Sequence, residues 1–210
     1  MTHPGPTLRQ VMADLDQLRA RADTAFAQVQ VQNPQAVVCR PGCDDCCHAL
    51  FDLSLVEALA LALAFAELPR GQRRGVQRQA EKSAALFDEV VARAMAQPDD
   101  QRLAVLSQAR LACPLLQDGN CLLYRQRPLT CRLYGVPVAI EGTARTCHKA
   151  RFAPGHTYAT VDMGLVQLEL ERISRLVARL APSLSPVRRD VARALDLAAS
   201  HAPLLRSLIQ

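Results

Sequence analysis

None of the eight cysteines in this chain falls within a stretch of helical periodicity. They crowd into two irregular segments rich in Pro, Gly and Asp, with long apolar-periodic segments on either side. Such a chain must fold so that helices hold two loops in place. The first segment reads VVCRPGCDDCCH and carries Cys39, Cys43, Cys46 and Cys47. The second carries Cys113, Cys121, Cys131 and Cys147 among Pro114, Gly119, Pro128, Gly135, Pro137 and Gly142. Buried structural cysteines scatter through cores as small apolar residues; these do not. A chain of 210 residues, half of them hydrophobic, needs no cross-links to fold. Met1–Arg19 lacks the basic and apolar regions of an export signal, so a reducing cytoplasm is expected, where structural disulfides are rare. Metal ligation is the remaining reading.

The periodic segments predict a mostly α chain with at most short strands. Apolar residues at 8, 11, 12, 15, 18, 22, 25, 26 and 29 predict a helix over 8–31, stopped by Pro34. Ser54 followed by Glu57 predicts a capping box opening a central, buried helix that runs to about Leu68. Further helices are expected over 72–96, 98–112, 159–180 and 186–210, and short strands at 122–124 and 136–140. The organisation is an N-terminal helix (1–36), a cysteine-cluster region with inserted helices (37–153) and a C-terminal helical pair (154–210). These make one single helical domain, because either cysteine segment alone would leave half the thiols without partners.

Thiolate-rich sites select zinc or iron–sulfur. The spacing Cys39-x3-Cys43-x2-Cys46 lets successive thiolates curl around one centre. The adjacent Cys46 and Cys47 diverge, so both hardly fit one tetrahedral zinc. The second group is too widely spaced to form a site alone and is expected to join the first. All eight cysteines are candidate ligands. An iron–sulfur cluster, [4Fe–4S] in type, is favoured, with zinc the alternative. Two centres of four thiolates, or one four-iron cluster with four auxiliary cysteines, both fit. Arg127, Arg132 and Tyr134 flank Cys131 and are candidates to offset the negative charge of a cofactor. His48 and His148 each follow a cysteine, but thiols already suffice.

The ordered residues also resemble the bacterial cysteine-cluster family called CxxCxxCC or YkgJ, described as zinc- or iron-chelating and often as Fe–S cluster-containing. Its pattern runs C-x(2–4)-C-x2-C-C, then C-P-x-L, then C-x2-Y-x2-R-P-x2-C-R. Here these are Cys39, Cys43, Cys46 and Cys47; Cys113, Pro114 and Leu116; and Cys121, Tyr124, Arg127, Pro128, Cys131 and Arg132. The resemblance spans Val37–Cys147 and implies metal chelation. A related box occurs in flagellin lysine methylases, which are larger and use S-adenosylmethionine; this chain is shorter, so that activity is not carried over.

Other classes have less support. The Cys39–Cys43–Cys46 spacing also matches that of enzymes using S-adenosylmethionine at an open-site [4Fe–4S] cluster, but long helices follow it rather than βαβ units. A redox enzyme, or a zinc-stabilised adaptor docking a protein partner on its arginine-bearing C-terminal helices, is the remaining alternative. The net charge of +5 is spread over helices that also carry acids, and aromatics are 4%, so no nucleic-acid footprint is expected. Leu53–Ala66 contains Glu57 and is shorter than the roughly 20 residues a membrane span needs. Neither a glycine-rich phosphate loop nor a Gly-x-Ser-x-Gly or His-Glu-x-x-His motif is present.

Overall fold

Helical periodicity decides most of the architecture. In the computed structural model, which describes residues 6–201 and 203, the chain is mostly α, with only short strands. Helix α1 spans Leu8–Gln32 and opens on a reciprocal capping box between Thr7 and Gln10. It buries Leu8, Val11, Leu15, Leu18, Ala22 and Val29, the stripe its sequence periodicity marks. After the first cysteine segment, α2 (Leu55–Ala66) starts on the Ser54–Glu57 capping box. It is buried on nearly every side, which its Leu/Ala content demands, and it packs against α1 and the two C-terminal helices.

Helix α3 (Arg70–Met95) is mostly polar and buries only Val76, Ala80, Ser83, Val90 and Ala94. It lies at the periphery with α4 (Asp99–Gln108), which ends four residues before the expected Ala112. The residues after it leave the helix to pair with the first cysteine segment. The strand expected at 122–124 is displaced. Strands β1 (Leu116–Gln117) and β2 (Asn120–Cys121) form a hairpin, and Tyr124–Gln126 turns into a 3-10 helix. Asp118 and Gly119, both at positive φ, make that hairpin tight. A five-residue helix that the sequence reading places in irregular chain, α5 (Leu129–Leu133), follows Pro128.

Strand β3 (Val138–Ile140) pairs antiparallel with β4 (Thr143–Arg145) and parallel with β5 (Val161–Asp162). This pairing delays α6 to Met163–Leu180, where Asp162 caps Gly164 and Leu165. Helix α7 spans Val191–Ser200 and starts five residues after the expected 186. Arg189 is taken up by a backbone bridge with Leu53, and Asp190 caps the helix; residues 202 and 204–210 of that expected helix lie outside the described residues. One apolar core gathers side chains from α1, α2, α6 and α7 together with Leu115, Leu123, Leu129, Leu133 and Val136 of the second cysteine segment. Cys39, Cys113 and Cys121 pack against its edge. No helix among the described residues is long and apolar enough to cross a membrane.

Candidate metal centre

The first cysteine box is a turn followed by a turn of 3-10 helix. Pro41 and Gly42 reverse the chain, Gly42 at φ +83°, and the Cys43 N–H donates to the Arg40 carbonyl at 2.9 Å. Asp45–His48 then wind as 3-10 helix, and the Cys47 N–H donates to the Asp44 carbonyl at 2.8 Å. With about three residues per turn, successive side chains point about 120° apart. Asp45, Cys46 and Cys47 therefore leave this short helix in three directions.

Backbone pairing brings the second segment to the first. The Cys113 N–H donates to the Cys47 carbonyl at 2.7 Å, and the Leu111 N–H to the His48 carbonyl at 3.0 Å. The hairpin then carries Cys121 back over Cys113, and α5 presents Cys131. Pro128 offers α5 no capping side chain, so its first N–H, on Leu129, donates to Glu57 Oε1 at 2.9 Å. The other carboxylate oxygen, Oε2, accepts from the Ser54 N–H and hydroxyl. One buried acid thus starts two helices and sets the distance between them.

Cys46, Cys47, Cys113, Cys121 and Cys131 line one cavity. Cys39 lies close enough to feel the charge of Cys46 and Cys43, so seven thiols share one region. Cys46 and Cys47, adjacent in sequence, both line this cavity, and Cys47 also feels the charge of Cys113 and Cys121. Gly135 marks how tightly this closes: a Cβ there would lie 2.2 Å from Cys39 Sγ. Behind the sulfurs lies a mainly apolar cavity of about 60 Å³, lined by Cys46, Cys47, Cys113, Cys121 and Cys131 and walled by Phe51, Phe87 and Leu111.

The protonation pattern follows from this crowding. Cys131 and Cys47 donate to the Cys46 sulfur and hold its pKa far below that of a free thiol. The same hydrogen bonds hold Cys47 and Cys131 as thiols, with burial adding to the effect. Burial pushes Cys39 up to about 11 and Cys113 up to about 12, and it raises Cys121. Arg127 acts the other way. Its guanidinium lies over the Tyr124 ring at 3.7 Å and favours the thiolates of Cys39, Cys46 and Cys121.

Arg132 and Tyr134 sit elsewhere. Arg132 donates to Asp23 Oδ2 of α1 at 2.5 Å and to the carbonyls of Arg127 and Arg125, so it clamps the turn that carries Arg127. Tyr134 lies beside Arg110 and Asp45. His48 faces Asp44, with Nδ1 3.2 Å from its carbonyl oxygen. Cys147 is the one cysteine apart from the seven. Its thiol donates to Asp45 Oδ2 at 2.9 Å, and His148 Nδ1 lies 3.3 Å from the same oxygen. Asp45, Gly135 and the second role of Glu57 escape the sequence reading. Asp45 had a signal, being an acid inside a cysteine box; Gly135 and Leu129 had none, since both depend on neighbours distant in sequence.

No curated protein and no solved structure matches the chain. The model of one family, CxxCxxCC, described as "Putative zinc- or iron-chelating domain", matches residues 38–148. That stretch covers more than half of the chain and contains every cysteine, both segments and the helices between them. The chain belongs to the CxxCxxCC family of zinc- or iron-chelating domains.

Proposed function

We propose that this protein holds a polynuclear, thiolate-ligated iron–sulfur centre, with its ligands drawn from Cys39, Cys43, Cys46, Cys47, Cys113, Cys121 and Cys131. The observation that carries the proposal is one cavity lined by Cys46, Cys47, Cys113, Cys121 and Cys131, from segments far apart in sequence, with Cys39 and Cys43 in the same first box. A single tetrahedral ion uses four donors. Seven sulfurs fit a centre with more than one metal, and sulfur-only donors select iron–sulfur or zinc. A water needs only about 10–15 Å³ of such space, so a cavity of about 60 Å³ accommodates a group of several atoms. Its apolar walls limit solvent access, which tunes the potential of an iron–sulfur centre.

Arg127 offsets part of the negative charge of this centre, and Arg132 positions the Arg127 turn. Because one apolar core joins the helices to both cysteine segments, the chain folds as one domain around the metal. Eight reduced thiols suit the cytoplasm.

Anaerobic purification with iron, zinc and acid-labile sulfide counted on one sample tests it. Matched iron and sulfide with a visible charge-transfer band are expected, and Cys43→Ser and Cys131→Ser each lower both. A colourless protein with only zinc overturns the iron–sulfur assignment.

A further inference from the structure

A second, chemically different site lies outside the seven-thiol centre. Asp45, Cys147 and His148 each offer one ligand atom, and the three lie within 4.8 Å of one another. They come from two cysteine segments, and the 3-10 helix turns Asp45 away from Cys46 and Cys47 to reach Cys147. We propose that Asp45, Cys147 and His148 bind one divalent ion, zinc in type, separately from the thiolate centre and with a coordination position left open to solvent.

The distances suit such an ion. Metal–ligand lengths of about 2.0 Å to N or O and about 2.3 Å to S place tetrahedral donors about 3.3 Å apart for an O,N pair and about 3.5 Å for an S,O pair. The Asp45 Oδ2 to His148 Nδ1 distance is 3.3 Å. The Cys147 Sγ to Asp45 Oδ2 distance is 2.9 Å with the thiol proton between them. Replacing that proton by a metal opens the pair by about 0.6 Å, a side-chain adjustment.

The two carboxylate oxygens of Asp45 are divided between tasks. Oδ1 accepts from Arg110 at 2.6 Å and faces Lys149 Nζ at 3.7 Å, while Oδ2 is turned to Cys147 and His148. A ligating carboxylate is normally oriented in this way, by hydrogen bonds to its non-ligating oxygen. Asp45 is 1% exposed and Cys147 6%, so two donors are fixed in the interior. The His148 side chain is 63% exposed and closes the site from the solvent side. One thiolate and one carboxylate supply two negative charges to a divalent ion, with Arg110 and Lys149 confined to the other oxygen of that carboxylate. Three protein donors plus an open position is the pattern of a catalytic rather than a structural zinc.

The test counts metal in the full chain. Wild type, His148→Ala and Cys147→Ser are loaded anaerobically, freed of loose metal with a weak chelator, and analysed for zinc, iron and sulfide. Far-UV circular dichroism checks the fold. His148→Ala changes an exposed side chain, so the fold is expected to persist. Each variant is expected to hold one zinc fewer than wild type, with iron and sulfide unchanged and affinity for that zinc lowered on the order of 100-fold or more, beyond the effect of losing an outer contact. Wild-type zinc content in His148→Ala overturns the proposal. So does loss of iron and sulfide in Cys147→Ser, which would place Cys147 in the main centre. If the thiolate centre proves empty in all three proteins while the one-zinc difference remains, the reading above fails and this one stands.

Discussion

Replacing Gly135 by alanine tests how closely Cys39 is held. Gly135 is outside the left-handed region, so alanine adopts its backbone without strain. The conflict is purely with side chains. The new Cβ would lie 2.2 Å from Cys39 Sγ and 3.4 Å from Phe26 Cε2. Relaxed heavy-atom contacts lie at about 3.5–4.0 Å, so the sulfur must retreat by more than about 1 Å. In metal-free protein the Cys39 side chain can rotate aside. In metal-loaded protein it cannot, because ligand distances tolerate only about 0.2 Å. The overpacking cost of about 1–3 kcal/mol is therefore felt in the loaded form. By linkage, it appears as metal binding weakened by about 5- to 150-fold.

Competition against a chromophoric chelator reads the affinity, and urea unfolding with and without metal reads stability. The decisive comparison is Gly135→Ala in a Cys39→Ala background. There the nearest Cys39 atom is its Cβ at 3.5 Å, an ordinary contact, and the alanine should cost almost nothing more. An equal cost of Gly135→Ala in both backgrounds would refute the steric argument. Unchanged metal affinity in the single variant would remove Cys39 from the ligand set.

Glu57→Gln should destabilise the protein by about 1–3 kcal/mol in urea unfolding, because Glu57 accepts with both oxygens and an amide turns one acceptor into a donor facing a buried N–H or hydroxyl. An unchanged unfolding midpoint would contradict that role. Arg127→Gln removes the cation favouring the thiolates of Cys39, Cys46 and Cys121 and should weaken metal binding about 10- to 100-fold, with Arg127→Lys closer to wild type. Equal affinities for all three proteins would count against it. Zinc titration near pH 7 with an indicator dye should release protons. Cys39 and Cys113, raised by burial to about 11 and about 12, still hold theirs at that pH. The sign follows: affinity rises with pH below those values and falls on acidification, and pH-independent affinity between pH 6 and 8 would refute it.

Elements governed by local rules were legible in the sequence. The Ser54–Glu57 box and the stripe from Leu8 to Val29 need only neighbours three or four residues away, and the structure forms both. The joining of the two cysteine segments was legible, since the second group is too widely spaced to form a site alone. What could not be read was the division of the eight thiols into seven and one. That depends on the 3-10 winding of Asp45–His48, where one residue of rotation sends Asp45 to Cys147 and Cys46 to Cys131. The end of α4, the late start of α6 and the small helix α5 were hidden for a similar reason. Each is decided by a partner far along the chain: His48 and Cys47 for residues 111 and 113, Pro137 for Val161, and Glu57 for Leu129.

The wide separation of the two segments also shapes how the protein is made. Cys131 leaves the ribosome about 80 residues after Cys47, a delay on the order of 4–16 s at about 5–20 residues per second. Throughout that interval the nascent chain displays four adjacent thiols with neither the hairpin nor α5 to shield them. A metal captured then is held by the first box alone and must later be handed into the full seven-sulfur shell. Synthesis under metal excess or oxidative stress therefore exposes this box during a window that the finished fold closes by laying Cys113 and Cys131 over it.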